Sequence, residues 1–244
     1  MPKLNLYFCG CLRWLVVVAA KTISDASKTK PFPPNPHSQQ STISTVVREI
    51  QESGNEASEV QVDVRDFESV TRMVDYTVKT YGRLDVLVYN SGAIWWASVA
   101  NTPMKRFQLM QKVNPEGLYG TVQAALPHFE KQGWKGRIIV VSPPIYSRFF
   151  RGKTSYAMGK IGMSVLTKGL AMDWVREGKN DMAITSIWPA AAIESAATQN
   201  PQSNRSELRH AVSFSHVERN NTVPNNVQGY FFRRNTVNDK KSCS

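Results

Sequence analysis

The chain has 244 residues, 41% of them hydrophobic, enough to fill the core of one large α/β domain and too few for two. Its net charge of +11 is dispersed, with +1 over residues 1–62, +6 over 63–200 and +4 over 201–244, so no nucleic-acid partner is expected. Cys9, Cys11 and Cys243 stand near the ends without histidines at metal spacing, which argues against a disulfide framework or a zinc site and makes a reducing compartment the default.

The apolar run Leu12–Ala20 is interrupted by Arg13, is too short to span a bilayer and lacks a small-residue cleavage site, so no membrane span is expected. Within it Leu15–Ala20, β-branched and continuously apolar, reads as a parallel strand buried on both faces. Met1–Lys21 carries three basic and no acidic residues, a faint likeness to a mitochondrial presequence, but it has no serine, so the cytoplasm is the default. Pro31, Pro33, Pro34 and Pro36 make the following stretch a loop. Thr42–Ser53 has helical spacing with Gly54 as its stop, and Val60–Val64 reads as the next strand.

Phe67–Tyr81 is an amphipathic helix ending at Gly82, followed by the strand Val86–Tyr89 and the turn Asn90-Ser91-Gly92. A long helix is predicted from Met104 to about Phe129, then a strand Arg137–Ser142, a helix from Ser155 to about Arg176 and a strand Ala183–Trp188. This alternation predicts a doubly wound parallel sheet, Rossmann-like and three-layered, with helices on both faces. Residues 198–244 hold seven basic and three acidic residues, many asparagines and no periodicity, and read as an irregular or disordered tail. The sequons at Asn204 and Asn220 read as chance matches.

Ser142 lies fourteen positions before Tyr156, and Lys160 four after it. The last spacing puts tyrosine and lysine on one helix face, where a nearby ammonium favours the phenolate and is expected to lower the tyrosine pKa. Such a tyrosine gives or takes a proton near neutrality. Ser142, at the carboxyl end of a parallel strand, sits where open α/β sheets place ligands, and its hydroxyl can hydrogen-bond a substrate carbonyl.

With these three residues the chain resembles the short-chain dehydrogenase/reductase family over roughly residues 15–197. Asn90-Ser91-Gly92 is similar to the family's Asn-Asn-Ala-Gly turn, with Tyr89 in place of the first asparagine. Asn114, in Val113-Asn114-Pro115-Glu116-Gly117, resembles the asparagine of the catalytic tetrad. The resemblance implies Tyr156 as general acid or base and Ser142 as the residue orienting substrate. By it Lys160 both tunes Tyr156 and holds the nicotinamide ribose, and Asn114 supports a proton-relay water. It assigns Asp63 to the adenine amine, and Asn90, Gly92, Pro189 and Ile193 to the cofactor. Ser142-Pro143-Pro144, Trp188-Pro189 and the proline-rich insertion look most like the hydroxysteroid-dehydrogenase-like branch.

Cofactor choice is read from the end of the first strand, where NAD-preferring members carry an acid. Here Lys21 stands, a cation that suits a 2′-phosphate, so NADP(H) is expected over NAD(H). The substrate implied is a small apolar carbonyl or alcohol. Trp95, Trp96, Phe149 and Phe150, near the carboxyl edge of the sheet, are expected either to line an apolar pocket or to serve as packing. The resemblance further implies homo-oligomers paired through the long helices. It leaves mitochondrial or peroxisomal placement open, with Ser242-Cys243-Ser244 differing from the peroxisomal Ser-Lys-Leu address.

The pattern departs from the family before Leu15. Only Gly10 lies among the first fourteen residues, so residues 1–197 are expected to form one Rossmann-like domain lacking its first strand and glycine-rich phosphate loop. Leu4–Phe8 is too close to Leu15 for a parallel crossover. The missing strand belongs in mid-sheet, where its loss exposes the backbone of two neighbours. Two functions follow: an NADP-dependent oxidoreductase, or a catalytically silent relative that binds no cofactor and serves as an interaction module.

Overall fold

The computed structural model describes residues 15–20, 43–143 and 151–187. Strand β1 (Leu15–Ala20) precedes helix α1 (Ile43–Glu52) and strand β2 (Glu56–Gln61). Helix α2 (Phe67–Tyr81) leads to β3 (Val86–Tyr89). A short 3-10 turn (Val99–Asn101) then precedes α3 (Met104–Gln111), a π turn (Lys112–Glu116) and α4 (Gly117–Lys131). Strand β4 (Gly136–Val141), helix α5 (Thr154–Arg176) and strand β5 (Met182–Ile187) complete the order.

All strand pairs are parallel, as the α/β alternation predicts, but they form two sheets: β1–β2 and β3–β4–β5. Among the described residues no strand lies between β1 and β3.

Helices begin and end where local chemistry dictates. The Asp66 carboxylate accepts a hydrogen bond from the Glu68 N–H at 3.1 Å, capping α2. Gly82 closes that helix with φ 80°, a left-handed conformation that glycine adopts without steric cost, and its N–H donates to the Val78 carbonyl at 2.8 Å.

Two predicted elements differ from the structure. Strand β2 begins and ends earlier than Val60–Val64, because its pairing with β1 runs from Leu15 opposite Glu56 to Ala20 opposite Gln61. Val62 and Val64 still pack into the core, from the segment beyond the strand. The long helix predicted from Met104 is interrupted at Pro115, which lacks an N–H and crowds the preceding turn. The π turn absorbs that defect by widening the backbone by one residue.

The main core lies against one face of the three-stranded sheet. Leu87, Tyr89, Ile138, Val140, Met182 and Ile184 from the strands meet Val70 and Val74 of α2, Leu118, Val122 and Phe129 of α4, and Met163 and Trp174 of α5. Val86, Val88 and Ile187, on the opposite face, are exposed. At the start of α4, an added Cβ at Gly117 would stand 2.5 Å from the Tyr89 hydroxyl and 3.1 Å from the Val64 carbonyl. Only glycine lets this helix approach both β3 and the segment leaving β2 so closely.

Candidate active site

Tyr156 and Lys160 lie on the buried face of α5, each less than a tenth exposed. Ser142 follows β4 and is buried, and Asn114, in the π turn, is fully buried. The Lys160 ammonium donates to the Val141 carbonyl at 2.8 Å, tying the helix to the end of the strand that carries Ser142. Asn114 faces the loop that follows β3. Its Oδ1 accepts from the Ala93 N–H at 2.8 Å and its Nδ2 donates to the Ala93 carbonyl at 3.1 Å.

Gly92 joins these groups. A Cβ built there would stand 3.6 Å from both the Asn114 Oδ1 and the Lys160 Nζ, ordinary van der Waals contact, so the backbone of Gly92 lies directly beside the amide and the ammonium. The backbone at Gly92, the lysine ammonium and the tyrosine therefore fit the ribose end of a nicotinamide cofactor. Before Asp63 the described segments contain no glycine-rich turn.

Burial governs the electrostatics. Desolvation pushes the Tyr156 hydroxyl up to about 12 and the Lys160 ammonium down to about 8. The expectation that Lys160 lowers the tyrosine pKa is thus reversed in this structure. Burial is the cause for both groups: it favours the neutral phenol of Tyr156 and disfavours the charge on Lys160.

The remaining predicted residues are placed unevenly. Asp63 lies two positions beyond β2, and its Oδ1 accepts from the Arg65 Nε at 2.8 Å and from the Arg65 backbone N–H at 3.1 Å. A contact between Asp63 and an adenine would therefore compete with this ion pair, which also holds the Arg65 pKa above its ordinary value. Asn90 is exposed on the loop after β3. Lys21, Pro189, Ile193, Phe149 and Phe150, and the tail from residue 198, lie outside the described residues.

Two participants escaped sequence reasoning. Ser164 lies four residues after Lys160, so its hydroxyl shares the helix face of Tyr156 and Lys160. It donates to the Pro143 carbonyl at 2.7 Å and stands 3.1 Å from the Ser142 Oγ, which it positions. The continued spacing of four was the available signal. Tyr89, the departure from the family's turn, donates to the Val113 carbonyl at 2.5 Å and ties β3 to the π turn. Its burial raises its own pKa well above the ordinary phenol value.

Among the described residues no helix is long and apolar enough to cross a membrane, and no cluster of His, Cys, Asp or Glu could hold a metal. The family model described as short chain dehydrogenase matches residues 37–206. The hydroxysteroid dehydrogenase-like protein 2 of Mus musculus is 34% identical over 184 residues, 75% of this chain and 34% of that protein. The chain spans about a third to two-fifths of the length of the curated relatives it matches. A short chain dehydrogenase structure from Mycobacterium thermoresistibile superposes with a TM-score of 0.63 at 32% identity, over 76% of this chain and 62% of that one. A 7 alpha-hydroxysteroid dehydrogenase in complex with NADH and 7-oxo glycochenodeoxycholic acid superposes with a TM-score of 0.55 at 26% identity, over 63% of this chain and 58% of that one. A paired Tyr156 and Lys160 on α5, Ser142 at the strand end and a match over most of its length make this chain a member of the short-chain dehydrogenase family.

Proposed function

We propose that the chain is an oxidoreductase that moves a hydride between NADP(H) and a small apolar carbonyl or alcohol. The observation that carries this reading is the burial of Tyr156, Lys160, Ser142 and Asn114, with the Gly92 backbone beside the Asn114 amide and the Lys160 ammonium. The cofactor supplies or accepts the hydride. In reduction Tyr156 donates its hydroxyl proton to the carbonyl oxygen, Ser142 hydrogen-bonds that oxygen, and Lys160 supplies positive charge beside the phenol. Asn114 supports the proton path by keeping the loop of Gly92 closed on the π turn. Lys21, at the position where an acid would select NADH, favours NADPH, whereas the 7 alpha-hydroxysteroid dehydrogenase neighbour is complexed with NADH.

The break between the β1–β2 and β3–β4–β5 sheets supports a second reading, a silent relative that binds no dinucleotide. Thermal melts of the chain with NADPH, NADH or neither separate the two. A ligand at a hundred times its Kd stabilises the folded state by about 2.7 kcal/mol. The oxidoreductase reading expects an upward shift, larger for NADPH. A melt indifferent to both nucleotides favours the silent relative.

Pairing through the long helices is part of the same proposal. Met158, Val165 and Met172 recur at intervals of seven along α5, form one stripe, and are all more than half exposed, as is Tyr119 on α4. Light scattering of the same sample is expected to give about twice the 27.4 kDa chain mass. The monomer mass at micromolar concentration overturns the pairing.

A further inference from the structure

The loop after β3 carries two adjacent indoles beside the proposed proton donor. The Trp96 ring meets the Tyr156 ring edge-on, with centroids 6.2 Å apart and planes at 67°. Lys153, immediately before α5, places its ammonium 5.2 Å from the Trp96 ring centre, and the Arg106 guanidinium of α3 lies 4.6 Å from that of Trp95. Both indole nitrogens are buried with no acceptor among the described residues, an unusual surplus of donors at one place.

Basic residues outnumber acidic ones in the segments around them. Val86–Glu116, from β3 through the π turn, contains three Lys or Arg and one Glu, and the described residues of Gly136–Met172, from β4 into α5, contain five Lys or Arg and no Asp or Glu. These are the segments that build the site. Cations resting on indoles hold a flat apolar platform with positive edges, an arrangement that attracts an anion with an apolar body.

We propose that Trp95, Trp96, Arg106 and Lys153 form the substrate subsite and select an apolar carbonyl compound that also carries a carboxylate. The indoles cover the apolar body next to Tyr156, and the two cations receive the carboxylate. The carbonyl half of this inference rests on the oxidoreductase reading; the anion half does not. The cofactor's phosphates are the other anions that the cations could serve, and the test separates them.

Quenching of indole fluorescence is read with benzoylpropionate, an apolar ketone bearing a carboxylate, and with its methyl ester. The acid is expected to bind about tenfold tighter or more, as a charge-assisted hydrogen bond predicts. Arg106→Gln with Lys153→Gln is expected to bring the acid-to-ester ratio close to one. Equal affinities in the natural chain, or a ratio unchanged in the double variant, overturn the subsite. So does a double variant that loses its NADPH-induced melting shift while keeping the ratio, because the cations then serve the cofactor. A preference for the acid without turnover under NADPH leaves the subsite standing and sinks the oxidoreductase reading; equal turnover of both ketones does the reverse.

Discussion

Tyr156→Phe is expected to lower kcat/KM for carbonyl reduction by roughly 10²–10⁴-fold, the range lost when a positioned general acid is removed. The ring stays buried against Trp96, so the thermal midpoint and its shift with NADPH should change little, by no more than about 1 kcal/mol for one hydroxyl. Loss of turnover with retained nucleotide binding is the signature; an unchanged kcat/KM would remove Tyr156 from the chemistry. The pH profile adds a sign. With its pKa near 12, Tyr156 stays protonated through the neutral range, ready to donate in reduction. Lys160, near 8, is largely cationic at pH 7 and loses its charge as pH rises. The rate of reduction should therefore fall on an alkaline limb near 8 that belongs to the lysine. Lys160→Arg, whose guanidinium does not deprotonate in this range, is expected to abolish that limb. A limb unmoved in the arginine variant would assign it to another group.

Why the positions of Tyr156, Lys160 and Ser142 in the fold could be read from sequence and their surroundings could not is a matter of range. Tyr156 and Lys160 are four residues apart on one helix, so a spacing rule places both side chains. Ser142 directly follows an apolar strand and precedes Pro143, and the strand-end position follows from the alternation of strands and helices. The stops at Gly54 and Gly82 were legible because left-handed backbone is local chemistry. In contrast, the start of β2 depends on which residues pair with Leu15–Ala20, far away in sequence, and the apolar alternation of Val60, Val62 and Val64 describes packing beyond the strand. The reversal of the tyrosine pKa has the same origin. A spacing of four identifies the neighbouring charge, but desolvation depends on every element packed around the hydroxyl.

The π turn shows how a local defect becomes a functional position. Pro115 breaks the regular hydrogen-bond pattern between α3 and α4, and the widened turn points Asn114 at Ala93 and takes the Tyr89 hydroxyl on the Val113 carbonyl. Helix α5 closes on the same turn: a Cβ at Gly159 would lie 3.3 Å from the Asn114 Nδ2, and one at Gly162 would lie 3.2 Å from the Pro115 Cβ. The helix with Tyr156 and Lys160, the loop with Gly92 and the two indoles, and strand β3 therefore meet at one backbone irregularity.

Asn114→Ala tests that convergence. The asparagine side chain is fully buried and satisfies both backbone groups of Ala93, so alanine leaves a donor and an acceptor without partners in a partly buried loop. Each costs about 1–3 kcal/mol, giving an expected destabilisation of about 2–6 kcal/mol in urea or thermal unfolding. If Asn114 clamps the loop, the stability loss comes together with loss of the NADPH-induced shift, because Gly92 is no longer held beside Lys160. A role confined to a proton-relay water predicts lost turnover with the melting midpoint and nucleotide shift intact. Asn114→Asp sharpens the distinction. The carboxylate keeps the acceptor for the Ala93 N–H but sets its second oxygen against the Ala93 carbonyl and carries charge at a fully buried position, so the variant is expected to be at least as destabilised as alanine. A negative charge on the same side of Gly92 as the Lys160 ammonium favours the protonated lysine, and the alkaline limb of reduction should move upward in pH. A purely structural asparagine would leave that limb near 8; its displacement would identify Asn114 as the residue that positions the charge and the loop together.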